Sequence, residues 1–190
     1  GGTGCQAGTL GAYEAPGGAG SERVTPGMRS LRLEQSQLSI TTLDEFDLPG
    51  MMALEQTASR HPWSQGQYLT CMGAEYRFLG AWYGDALVGF IVDWRMLDEG
   101  HLMNLCVHGQ FQQQGIGRYL LRYWLASMQG AGMATLTLEV RESNRAAYRL
   151  YASEGFEDQG SRPGYYRTAD GTEAARIMSL GLSPVRAGNG

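Results

Sequence analysis

The sequence predicts an α+β domain in which one mixed β-sheet is flanked by helices, and three observations carry that prediction. Tyr76 to Tyr83 and Ala86 to Met96 are aromatic and β-branched runs joined at Gly84-Asp85, the signal of an antiparallel hairpin. Ile116, Leu120, Trp124 and Met128 recur every fourth residue, the spacing of an amphipathic helix. After Val107 the pattern alternates helix, strand, helix, which implies parallel pairing through right-handed crossovers. With 190 residues, 43% of them hydrophobic, the chain is long enough for one domain with a buried core.

The elements follow in order. Residues 1–27 are rich in Gly, Ala, Ser, Thr and Pro with few large apolar side chains, so they predict a disordered leader or linker. Met28 fits a natural first residue, the domain is expected over residues 28–182, and residues 183–190 read as a flexible tail. Leu38 to Leu43 alternates as a first strand. Asp44 or Asp47 then caps a helix through Ala58, with Met51, Leu54 and Ala58 on one face. His61-Pro62-Trp63 breaks it, and Ser64 with Gln67 forms a capping box that opens a short helix through Met72. The hairpin comes next, with a third strand from His101 to Val107. The amphipathic helix spans Gly115 to Gln129 and the next strand Ala134 to Val140. Ser143-Asn144 caps a helix from Arg145 to Glu154, which Gly155 ends, and a final strand follows Tyr165-Tyr166.

Composition excludes several functions. The formal charge of −4 offers no electrostatic footprint for nucleic acid and suits a basic partner instead. Cys5, Cys71 and Cys106 contain no Cys-x-x-Cys pair, and His61, His101 and His108 have no metal-ligand spacing, so no metal site is predicted and a reducing cytoplasm fits. No stretch approaches the ~20 apolar residues of a membrane-spanning helix. All fifteen basic residues are Arg, a composition that codon bias accounts for. Arg141, Arg145 and Arg149 recur every fourth residue and read as a solvated helix face.

The segment that carries chemistry is Gln112-Gln113-Gln114-Gly115-Ile116-Gly117-Arg118, between a strand and a helix. Glycines at a helix entrance let the backbone approach a ligand, and the exposed N–H groups with the helix dipole favour phosphate oxygens. It is not the dinucleotide fingerprint, which needs a third Gly, nor a nucleoside-triphosphate loop, which ends in Gly-Lys-Ser/Thr.

Gln-x-x-Gly-x-Gly after a strand resembles the coenzyme A loop of the GNAT superfamily of N-acetyltransferases. The likeness continues through Leu138-Glu139-Val140 and through Asn144 to Leu150-Tyr151-x-x-x-Gly155-Phe156. Within that superfamily Pro62-Trp63-Ser64, Asn104-Leu105-Cys106-Val107, Arg141-x-Ser143-Asn144 and Tyr165-Tyr166 resemble the branch that acetylates protein N-termini. The likeness covers about residues 40–180.

The resemblance implies a splayed sheet, acetyl-CoA as cosubstrate, no metal, and as acceptor a protein N-terminus, a ribosomal protein starting with Ala. Leu105, Cys106 and Val107 would offer backbone groups to the pantetheine arm, and Gln113, Gln114, Gly115, Ile116, Gly117 and Arg118 would hold the pyrophosphate. Asn144 would bond the coenzyme near its reactive end, with Glu139 as general base and Tyr151 as general acid. Trp63, Tyr165 and Tyr166 on two loops would grip the peptide. Two positions depart from the family pattern: Cys106 stands where Ala is common, and His108-Gly109 replaces Asp-Pro.

The chemistry of these residue types agrees. An α-amine with a reference pKa of about 7.7 to 8.0 is already partly neutral, so one carboxylate suffices as base, and a phenol near 10 stays protonated to meet the departing thiolate. Without the resemblance the residues favour Glu139 as an ion-pair partner and Tyr151 as core packing, and the resemblance reverses that preference. Transfer to Lys side chains or small amines also remains open, as does a non-catalytic acetyl-CoA-binding module. A pure binder needs no acid and base, which argues against the last.

Overall fold

The computed structural model describes residues 35–73, 75–168 and 171–183. The predicted leader with Met28, and all of the predicted tail but Ser183, lie outside the described residues. Seven strands form one sheet in the order β1-β2-β3-β4-β5-β7-β6. They are β1 (Leu38–Thr42), β2 (Tyr76–Tyr83), β3 (Ala86–Met96), β4 (Glu99–Val107), β5 (Thr135–Arg141), β6 (Glu157–Thr168) and β7 (Gly171–Gly181). Strands β1 to β4 are an antiparallel meander, β4 and β5 are parallel, and β5, β7 and β6 are antiparallel again.

The helices are α1 (Leu48–Ala58), α2 (Gln65–Cys71), α3 (Ile116–Gly130) and α4 (Arg145–Ser153). Both anticipated capping residues are used: Asp44 and Asp47 cap a single 3-10 turn reciprocally, and α1 starts behind it with Pro49 in its first turn. Ser64 and Gln67 form the expected capping box on α2. Gly155, at φ +96°, follows the end of α4 in the left-handed conformation that glycine adopts without steric cost.

One expectation needed correction. The second half is not a run of parallel strands, because among the described residues only β4 and β5 pair that way. Strand β7 runs back between β5 and β6. Gly160, Pro163 and Gly164 punctuate β6 and hide its strand character, and its register breaks at Asp158/Gly160 and Arg162/Tyr166.

The sheet separates two cores. On one face α3 and α4 cover Leu102, Leu105, Leu136, Leu138 and Val140 with Ile116, Leu120, Trp124, Ala147 and Tyr151. On the other, α1 and α2 cover Phe78, Phe90, Val92 and Cys106 with Met51, Leu54, Trp63 and Tyr68. This second cover is shorter and leaves part of its face open beside β5. Among the described residues no helix is long and apolar enough to cross a membrane.

Candidate active site

The opening in the sheet has a local cause. β4 follows β3 in register except at Met103, which has no partner: Val92 faces Asn104 and Asp93 faces Leu102. An extra residue of this kind bends and twists its strand. Pairing with β5 runs from Glu99–Thr135 to Leu102–Leu138 and stops at that bulge. Beyond it β4 stays with β3 as far as Val107, while β5 stays with β7 as far as Arg141, so the two strands part.

Residues 104–107 of β4 therefore present an unpaired edge to the gap. The His108 N–H donates to the Val88 carbonyl at 2.9 Å. By the alternation of a strand, the N–H groups of Val107 and Leu105 point the other way, into the opening. Cys106 turns its side chain into the α1 core, where burial pushes the thiol well above its ordinary value and leaves it an inert apolar filler.

Helix α3 begins at the same end. Gly115 precedes it at φ +87°, a left-handed backbone that only glycine adopts cheaply, and no side chain caps the first turn. Gln113 shares the unusual turn at φ +60°. The Gln112 amide donates to the Val107 carbonyl at 3.1 Å and ties this loop to the β4 edge. The Gln114 amide closes back on the Gln110 carbonyl at 3.2 Å. Ile116 is buried, while Gly115 is exposed and Gly117 half-exposed. The Arg118 side chain is committed to Glu154, which Arg122 also engages at 2.8 Å. Only the backbone N–H of Arg118 thus contributes to the helix entrance.

On the α1 face, where the short cover ends, a cavity of ≈ 440 Å³ is lined by Tyr76, Trp94, His101, Thr137, Glu139 and Tyr165, among others. Glu139 reaches it because alternate residues of β5 share a face, placing Thr137 and Glu139 there with Leu136, Leu138 and Val140 behind. Its Oε1 lies 2.8 Å from Arg162 Nη1. The Tyr165 hydroxyl is also hydrogen-bonded to Glu139, and burial, then that bond, pushes its phenol up to about 12. Across the floor Thr137 Oγ1 and His101 Nδ1 are 2.5 Å apart, and the Trp94 ring lies 5.0 Å from His101.

Tyr151 is buried on α4 with its ring 6.0 Å from Phe156. Burial, and then the neighbouring Cys106, raise its phenol, so it stays protonated at any physiological pH. Burial, and then the charge of Glu139, raise the Tyr166 phenol, and Tyr151 adds to that rise.

A family model of the acetyltransferase (GNAT) domain matches residues 53–167. The chain belongs to the GNAT acetyltransferase family. The ribosomal protein bS18-alanine N-acetyltransferase of Escherichia coli K12 is 39% identical over 145 residues, covering 76% of this chain and 98% of its own length. The crystal structure of the ribosomal-protein-S18-alanine N-acetyltransferase from Escherichia coli superposes with a TM-score of 0.74 at 37% identity, over 80% of this chain and 97% of that one. Ard1 from Thermoplasma volcanium shares the fold, with a TM-score of 0.68 at 24% identity over 77% and 99% of the two chains.

Within that GNAT frame several residues sit otherwise than expected. Trp63 is not on an open loop: it is 5% exposed, packed 5.2 Å from Tyr68. Tyr166 is likewise buried, beneath the Arg141 guanidinium at 4.0 Å, which leaves Tyr165 as the one cavity-lining member of the aromatic trio. Arg141 lies on β5 paired with Glu173, not on a solvated helix face. Asn144, by contrast, caps α4 as expected, its Oδ1 accepting from Ala147 N–H at 3.1 Å.

The departure at His108-Gly109 has a physical reason. His108 Nδ1 accepts the Gln110 N–H at 3.3 Å, as a capping Asp would. The Gly109 N–H donates to Thr57 Oγ1 at 2.9 Å, and a Cβ there would meet the Thr57 carbonyl at 2.5 Å. Proline is therefore excluded twice, once by the lost donor and once by the close approach of α1. Sequence reading missed Arg162 and His101 as site residues. Both meet the site only through strand pairing, and no local motif marks them.

Proposed function

We propose that the protein moves an acetyl group from acetyl-CoA directly to the N-terminal α-amine of a protein, a ribosomal protein that starts with Ala. The observation that carries this reading is the adjacency of three features: the open β4 edge, the uncapped entrance of α3, and a cavity walled by Glu139. The relatives named as ribosomal protein bS18-alanine N-acetyltransferases support the acceptor.

The residues fit a coenzyme. Gly115 and the first N–H groups of α3 suit a pyrophosphate, and the outward N–H group of Leu105 suits an amide carbonyl of an extended arm. When bound, acetyl-CoA supplies an acetyl group activated as a thioester. Glu139 takes one proton from the ammonium, directly or through one water. As the C–N bond forms and the C–S bond breaks, Tyr151 gives its proton to the sulfur, and the second proton of the nitrogen restores the phenol. Val107 N–H, aimed into the gap, polarises the reacting carbonyl. Arg162 holds Glu139 until an ammonium takes its place, which orients the carboxylate in the free enzyme.

The same reading keeps residues 28–182 as the acetyltransferase unit, in the cytoplasm. A net-negative enzyme attracts the basic segments of ribosomal proteins. The test is competition for acetyl-CoA between a basic peptide starting with Ala and an N-terminally blocked twin carrying an internal Lys, read by mass spectrometry. The Ala peptide is expected to be acetylated. Preference for the Lys peptide would transfer the assignment to side-chain amines.

A further inference from the structure

A polar cluster that the mechanism above does not use is buried beside the opening. Glu55 of α1 is wholly buried. Its Oε2 accepts from the Trp63 N–H at 2.9 Å and the Tyr68 hydroxyl at 2.6 Å, and its Oε1 accepts from Asn104 Nδ2 at 2.9 Å. Burial raises the carboxyl above its ordinary range, and these three donors oppose that rise. One side chain thus joins α1, the loop before α2, α2 itself and β4.

The carboxylate decides the orientation of the Asn104 amide. A carboxylate oxygen only accepts, so the NH₂ group must face Glu55 and the carbonyl Oδ1 must face away from it. That Oδ1 is buried, in a residue 1% exposed, and has no hydrogen-bond donor among the described residues. Leaving a buried acceptor unmet is costly, so the position calls for a donor from outside the chain.

The location says what that donor is. Asn104 directly follows the bulge, the first position after it where β4 has left β5. Its side chain lies on the α1 face, and its neighbour Met103 lines the same cavity as Glu139. A coenzyme arm lying along the β4 edge is served by backbone groups. The cavity side receives the amine.

We propose that Asn104 is a further acceptor-binding residue whose Oδ1 accepts an N–H of the incoming primary amine, and that Glu55 is the positioning residue that sets this polarity. The proposal rests on the reading that the site acetylates an amine. With one N–H held by Asn104 and one proton taken by Glu139, the nitrogen lone pair is left facing the thioester.

The test uses the full chain with Asn104→Ala, Glu55→Gln and their combination, with Phe78→Leu in the same core as a control for packing. Glu55→Gln sets an NH₂ against the Asn104 NH₂, and the relaxed arrangement turns the Asn104 amide so that it offers a donor where an acceptor stood. Initial rates with the Ala-initiated peptide give kcat/KM, and calorimetry gives the acetyl-CoA Kd. Asn104→Ala and Glu55→Gln are each expected to lower peptide kcat/KM by about ten-fold, with the acetyl-CoA Kd unchanged. The double variant is expected to be no worse than Asn104→Ala alone, because Glu55 acts only through that amide. Phe78→Leu lowers Tm and leaves kcat/KM unchanged. Effects of the two single variants that multiply, wild-type kinetics in Asn104→Ala, or a loss of acetyl-CoA affinity in place of the peptide effect would each overturn the proposal. Acetylation of the peptide by the unmodified enzyme is measured first, so failure of the transfer and failure of the Asn104 assignment are told apart.

Discussion

The two sides of the candidate site are made of different material. The coenzyme side is backbone: an unpaired strand edge after Leu102, a left-handed Gly115 and the bare first turn of α3. The acceptor side is side chains: Glu139 from β5, Arg162 and Tyr165 from β6, and His101 from β4. A backbone surface depends on only a few special residues and tolerates change in the rest. A side-chain surface changes its preference with each substitution, which lets one coenzyme frame serve many acceptors.

The sharpest break between the two sides is at the reacting groups. Glu139→Gln and Tyr151→Phe are each expected to lower kcat by about 10²–10⁴-fold, with the acetyl-CoA Kd unchanged by calorimetry. Loss of coenzyme binding in either variant would merge the two sides. On the backbone side, Gly115→Val forces a β-branched residue to φ +87°. It should raise the acetyl-CoA Kd by about ten-fold, at a cost of roughly 1–2 kcal/mol in stability, while peptide KM at saturating acetyl-CoA stays put.

Legibility followed the same division. The hairpin, the capping box at Ser64 and the Gly115 entrance were readable because each is set by residues within a few positions of one another. Strand β6 was not, since Gly160, Pro163 and Gly164 break its pattern and only pairing with β7 makes it a strand. Trp63 illustrates a second limit: an aromatic residue before a helix reads as an exposed anchor, but the buried Glu55 draws its backbone inward. Arg162, which meets Glu139 only because β7 returns between β5 and β6, carries no local signal at all.

Smaller effects refine the contrast. Arg162→Gln frees the Glu139 carboxylate from its resting partner and is expected to change peptide KM by about two- to five-fold, without altering the acetyl-CoA Kd. An equal change in both constants would show that Arg162 serves the frame and not the acceptor. The smallest expected effect is structural. The hydrogen bond from Arg122, with the charges of Arg122 and Arg118, holds the Glu154 carboxyl below the usual range against the opposing effect of burial. A lowered folded value means that this contribution is present above the ordinary Glu pKa and is lost as pH falls through the lowered one. Glu154→Gln should therefore lower Tm by about 2 °C at neutral pH and by progressively less on acidification, as melting curves across pH would record.

The short parallel seam between β4 and β5 also has a meaning for how the chain comes together. From Glu99–Thr135 to Leu102–Leu138 it is the sole ladder, among the described residues, that joins the meander to the β5-β7-β6 sheet. The meander closes through near neighbours in sequence, whereas this seam must wait for α3 to be threaded between its two strands. Local pairings form cheaply and distant ones late, so the seam belongs to the last cooperative unit to assemble and the first to open. Amides of residues 135–138 should exchange with solvent faster than those of β3, giving the enzyme a seam that loosens where its substrates meet.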